Sequence, residues 1–291
     1  MLFLILAIVF NTLIGLVFRY FKDWKIELFP AIVVNYWVCV LIGILYYREG
    51  LFHSDILEAS WWPFAWGIGA IFIIGFNFVG AAIRFFGVTF TTIMQKISLV
   101  LTALVGWWFF NESMSLSKVL GILLAALAVW LLNYGPSDQG ELNKNRLPWY
   151  IWLLPAAVLL VNAGIDSIFL TMNKMGVYSG EDLRVVTYMF AIAAILGSIR
   201  LVFLLDRNAT TFSSRELKAG LLLGGVNYFS IHFVLAALHT GWEGSIFYPI
   251  LNTSILSCTA LAAYFLFKEQ LSIPKWIGFG LVILSIFLIS S

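Results

Sequence analysis

Charge is what this sequence has least of. Only 11% of its residues are Asp, Glu, Lys or Arg, against roughly 25% in a soluble domain. Of its 291 residues 62% are hydrophobic, and the mean hydropathy is +0.96. No water-soluble globule of this size hides that much apolar surface, so the solvent for most of the chain is lipid. The net charge of +2 is small and scattered, which excludes nucleic acid as a partner. Cysteine is nearly missing too: Cys39 and Cys258 both lie inside apolar runs and read as packing residues. Histidine is limited to His53, His232 and His239, with neither an H-E-x-x-H motif nor a helix pair of aspartates. An intramembrane enzyme therefore lacks its catalytic set, and no activity, metal or cofactor is expected. Alternating polar and apolar residues are also missing, which excludes a lipid-facing β-barrel.

What is present is a series of long apolar runs. A span needs about 20 mostly apolar residues to cross roughly 30 Å of hydrocarbon. The runs fall near 2–21, 28–47, 62–84, 88–109, 116–134, 149–173, 184–205, 217–239, 244–267 and 273–290. The expected fold is an all-α integral membrane protein with ten transmembrane helices. The first run, Leu2 to Phe18, lacks a basic leader and is followed by Arg19, Lys22 and Lys25, the flank of a retained span rather than a cleaved signal. Trp61-Trp62, Trp107-Trp108, Trp149 and Trp152 gather at run edges, where amphipathic rings anchor at headgroup depth. Twelve Lys and Arg residues fall in loops after odd-numbered runs and four on the other side, Arg48, Lys118, Lys174 and Arg184. Positive loops stay cytoplasmic, so both termini are expected on the non-cytoplasmic side of an inner membrane.

The chain also repeats itself. Phe110, Glu112, Ser115, Lys118 and Gly121 recur as Phe267, Glu269, Ser272, Lys275 and Gly278 at one offset (269 − 112 = 278 − 121 = 157). Asn77 to Arg84 matches His232 to His239 at a similar spacing, and Asn11 pairs with Asn162. Residues 1–134 thus read as a first five-helix repeat, 135–148 as a Gly/Pro-rich charged linker, and 149–291 as a second repeat. Five is odd, so the second repeat enters the membrane from the other side and the repeats are inverted. Inverted repeats are common in secondary transporters. Within the repeated motif, Ser115 and Ser272 precede apolar helices and read as N-caps. Glu112 and Glu269 stand near Lys118 and Lys275 in what reads as a structural turn.

Ten spans, two halves and a Glu-x-x-Ser-x-x-Lys-x-x-Gly turn before the last helix of each half resemble the drug/metabolite transporter superfamily, and within it the EamA-like branch. The resemblance covers nearly the whole chain. It implies a monomeric or weakly dimeric carrier with a central cavity, moving a small-molecule substrate such as an amino acid, often outward and often with proton coupling. The motif encodes no substrate.

Ionisable groups in hydrocarbon are costly and usually face a cavity or a partner. Lys96 lies about eight residues into the fourth run, roughly 12 Å deep at 1.5 Å per residue, and Asp166 lies about as far from the opposite face. Gln95 and Lys96 correspond through the repeat to Asn252 and Thr253 (252 − 95 = 157). Asn11, Asn162, Asn77 and His232 add mid-span amides and an imidazole, as do Asn35 and Asn227. Each alone reads as an interhelical hydrogen bond; together around one cation they read as a polar, substrate-binding cavity. Two pictures remain open at this point. Lys96 free would favour an anionic cargo, and Lys96 neutralised by Asp166 would favour zwitterions or uncharged solutes. The rival to solute transport is a translocator of lipid-linked substrates, or its accessory subunit, for which Arg84 and Lys96 would supply a basic pocket and membrane lipid the cargo.

Overall fold

The computed structural model describes every residue except 25, 49–50, 52–53, 135–147, 181, 208–209, 268–270 and 291. Most of the expected linker, and Glu269 with Lys268 of the second motif, therefore lie outside the described residues. The described residues form ten α-helices and no strand: α1 (Leu2–Asp23), α2 (Leu28–Tyr47), α3 (Trp62–Phe86), α4 (Val88–Phe110), α5 (Leu116–Leu132), α6 (Leu154–Lys174), α7 (Arg184–Asp206), α8 (Ser214–His239), α9 (Gly244–Phe267) and α10 (Ile273–Ser290). Eight of them contain windows long and apolar enough to cross a membrane. The apolar stretches of α1 and α5, Leu2–Phe18 and Leu116–Leu132, are shorter. Seventeen residues, the length of α5, rise only about 26 Å, at the lower limit for a span.

Two starts differ from the sequence reading, each for a local reason. Trp149–Leu153 forms a 3-10 turn before α6, and Pro155 follows in the first turn of the helix, where its missing N–H costs nothing. The α8 helix begins at Ser214 instead of 217 because Ser213 and Glu216 form a capping box. At Ser115 the expected cap is present: its hydroxyl accepts from the Lys118 amide at 3.2 Å.

The helices gather into two compact units, Met1–Ile73 with Thr171–Gly241, and Ile74–Leu170 with Trp242–Ser291. Each unit takes helices from both halves of the sequence, and the divisions fall inside α3 and α6. In the first unit α8 packs on α1 and α2, and α2 on α7. In the second, α5 packs on α10, and α4 on α9. Glycines set the close approaches. A Cβ on Gly43 would meet the Thr187 side chain at 2.1 Å, and one on Gly197 would meet Val33 at 3.1 Å. In the second unit a Cβ on Gly121 would meet Ile289 at 2.6 Å, and one on Gly278 would meet Leu132 at 3.0 Å. In both pairs the start of one helix touches the end of the other, so both pairs are antiparallel.

On α8, Gly220 and Gly224 form a G-x-x-x-G face against α2, where added Cβ atoms would meet the Ala31 carbonyl at 2.5 Å and the Asn35 carbonyl at 2.8 Å. Backbone cannot yield as a flexible side chain can. Gly224→Ala is therefore expected to lower the thermal unfolding temperature of the purified protein by several degrees, a loss of about 1–3 kcal/mol from overpacking. Gly225, whose Cβ would meet nothing within 4 Å, is the control. Gly225→Ala should be neutral, or stabilising by up to about 1 kcal/mol through helix propensity. Equal melting of the two variants would contradict the packing assigned to Gly224.

Candidate functional site: the α4, α6 and α9 polar centre

The α9 helix supplies the frame of the second unit's polar centre. Pro249 stands inside it and has no amide to give the carbonyl one turn back. The Thr253 hydroxyl donates to the Pro249 carbonyl at 2.6 Å. Tyr248 is fully buried and donates its hydroxyl to the Asp166 carbonyl at 2.7 Å, pinning α6. Asn252 lies one turn further along the same face. It accepts a hydrogen bond from Lys96 Nζ at 3.1 Å, which ties in α4. One turn of α9 thus holds two other helices and carries both ionisable side chains with them.

Lys96 and Asp166 act on one another through their charges, but the hydrogen bond of the ammonium goes to Asn252. Asn252 is only 6% exposed, and its amide nitrogen, Nδ2, is buried without a partner among the described residues. A buried polar atom left unpaired costs about 1–3 kcal/mol, so this nitrogen marks a locus that favours an acceptor. Lys96 stands eight residues into α4 and Asn252 eight residues into α9, each about 12 Å from its helix end. A group at that depth is far from both ends of a helix of 23 or 24 residues.

The other expected site residues divide between the two units. In the second unit, Gln95 is half-buried beside Lys96, and its backbone carbonyl accepts from the Ser98 hydroxyl at 2.6 Å. The buried Thr253 directs its hydroxyl to helix carbonyls, which leaves it no donor for a solute. Asn162 turns its amide back to the Val158 carbonyl at 2.9 Å. Asn77 is half-buried in the part of α3 belonging to this unit. In the first unit, Asn11 makes the same back-bond as Asn162, to the Ala7 carbonyl at 2.8 Å. His232 lies against the Tyr228 ring, with centroids 6.0 Å apart, and edge-on to Tyr46. Asn227 donates to the buried Asn35 at 3.2 Å, an interhelical bond between α8 and α2.

Sequence reasoning missed two residues. Tyr248 was legible only as an aromatic next to a proline, one turn before Asn252. In sequence Glu112 reads as part of a local turn near Lys118, but its carboxylate accepts from the Gly244 and Ser245 amides of α9 at 2.8 Å each. Lys118 itself pairs with Glu243 and hydrogen-bonds to Ser113.

The fold defined by these helices is that of a polytopic α-helical membrane protein with an ionisable centre inside its spans. Residues 1–134 match the model of the EamA-like transporter family, which belongs to the drug/metabolite transporter superfamily. The chain is also similar to a Haemophilus influenzae protein described as uncharacterized, at 25% identity over 282 residues, covering 94% of this chain and 92% of that one. A protein known from a crystal structure shares the fold, with a TM-score of 0.76 at 14% identity, over 99% of this chain and 94% of the other.

Proposed function

We propose that this protein is a secondary transporter, an exporter of a small polar metabolite such as an amino acid or a related compound. It works by alternating access, with proton coupling, and binds its cargo where α4 of the first repeat meets α9 of the second. The observation that carries this reading is the Lys96–Asn252 hydrogen bond, which joins those helices at mid-span in a chain whose residues 1–134 match a transporter family model. A lysine at the centre of a span costs about 2.5–3.5 kcal/mol on insertion scales, and such groups mark transport pathways.

The reading includes ten spans in two inverted repeats of five. Reciprocal contacts support it. The Gly121–Ile289 contact becomes Gly278–Leu132 when each residue is exchanged for its repeat mate (278 − 121 = 289 − 132 = 157). Gly43–Thr187 becomes Gly197–Val33 in the same way (197 − 43 = 187 − 33 = 154). Antiparallel helices that exchange mates are what a twofold axis in the membrane plane produces. The matching back-bonds of Asn11 and Asn162 fit the same relation. The charge bias of the loops favours an inner membrane with both termini on its non-cytoplasmic face.

A single cysteine at position 95, with Cys39 and Cys258 replaced by serine, tests the site. In oriented vesicles it is expected to react with a membrane-impermeant thiol reagent added from either face, as alternating access requires. A C-terminal tag in the same vesicles should be cleaved only from the non-cytoplasmic side. Reaction of the cysteine from neither face would place it in lipid or in a closed core and end the proposal.

A further inference from the structure

The polar centre holds more hydrogen-bond donors than it uses. An ammonium has three N–H donors and a side-chain amide two. Lys96 directs one donor to Asn252 Oδ1 at 3.1 Å, while Nδ2 of the same amide is buried with no acceptor among the described residues. The bond to Lys96 fixes which end of the amide faces the ammonium, since a lysine can only donate. The amide nitrogen is thereby committed as a donor. Thr253 spends its hydroxyl donor on helix carbonyls, and its oxygen takes no hydrogen bond from Asn252 Nδ2. Asp166, whose charge acts on Lys96, has its backbone held by Tyr248, and the Lys96 hydrogen bond goes elsewhere.

From this we infer that Lys96 and the Nδ2 group of Asn252 form a binding site for a carboxylate, and that the cargo enters with a monoanionic carboxylate end against α4 and α9. A carboxylate brings two acceptor oxygens and no donor, which matches one ammonium N–H and one amide N–H. A dianionic phosphate fits less well, because it would set two negative charges against a single ammonium that the Asp166 carboxylate already opposes. Asp166 then remains for the rest of the cargo. The inference rests on the transporter reading of this site and names the chemistry that its cargo presents.

The test is equilibrium binding to the purified full-length protein in detergent, read by tryptophan fluorescence and thermal shift at constant ionic strength. The probes are butyrate, butyramide, butylammonium and inorganic phosphate. Butyrate should stabilise the protein, and the other three should do so at least about ten-fold less effectively in concentration. Asn252→Asp, which replaces the donor by an acceptor, should remove the butyrate effect. Asn252→Leu serves the same purpose if the aspartate variant does not fold. Equal effects of butyrate and butyramide, a stronger effect of phosphate, or butyrate binding unchanged in both variants would overturn the inference. Failure of the transporter reading is separate: it would appear as butyrate binding without movement of any solute across vesicles.

Discussion

Lys96→Met should abolish transport while leaving expression and thermal unfolding nearly unchanged. The methionine keeps the length of the side chain and removes only the charge and the donors. The wild-type ammonium makes a hydrogen bond to Asn252, and bonds to charged groups contribute about 1.5–3 kcal/mol. If that bond and its unused donors hold the cargo, flux should fall by about ten- to a hundred-fold or more. Stability should change little, because the lost bond is offset by relief from burying a charge, and Asp166, left without its counter-charge, takes up a proton instead of staying ionised among apolar helices. Lys96→Arg keeps the charge but not the compact point geometry, and should recover part of the flux. A Lys96→Met protein that transports normally would remove the lysine from the mechanism. One that cannot fold would assign it to structure alone.

The opposite pattern is expected at Glu112, where folding should suffer first. Its carboxylate is 5% exposed and accepts two amides at the start of α9, from Gly244 and Ser245, at 2.8 Å each. The first amides of a helix have no intrahelical acceptor, and a carboxylate there also meets the positive end of the helix dipole. Glu112→Ala would leave both amides buried and unpaired. The expected loss is about 2–4 kcal/mol, which for a chain of this size lowers the melting temperature by roughly 5–10 °C. Glu112→Gln keeps an acceptor oxygen but loses the charge and should lie between the two. An unchanged melt in the alanine variant, or glutamine worse than alanine, would contradict the capping role. The adjoining Lys118–Glu243 pair ties the α4–α5 turn to the same corner. Glu112 and Lys118 thus fasten the turn between α4 and α5 to the start of the helix that carries Asn252.

How far the molecule could be read from its sequence follows from which forces act locally. Helix ends were legible to within a few residues because apolar run length and turn chemistry decide them. The start of α8 was hidden because Arg215, Glu216 and Lys218 look like loop, whereas Glu216 belongs to a cap. The recurrence of Glu112/Glu269 and Gly121/Gly278 at one offset was plain, since residue identities are kept there. The Gly43/Gly197 correspondence was not, since little but the glycine survives there and the offset has drifted. Lys96, Asp166 and Asn252 stood out as costly groups at mid-span depth. Which of them bond to one another could not be read from spacing. The partners of Glu112 and Tyr248 are backbone atoms of distant helices, and backbone carries no sequence signal.

Solute flux through the pure protein bears most directly on the central claim. The wild-type chain, reconstituted in vesicles, would be loaded in turn with labelled amino acids and related carboxylates, and with labelled lipid as the alternative cargo. Saturable movement of at least one small polar solute is expected, slowed by an excess of the same solute unlabelled and lost in Lys96→Met, with lipid left in place. Translocation of lipid with no movement of any solute would contradict that claim and give the chain to the lipid-translocator class instead.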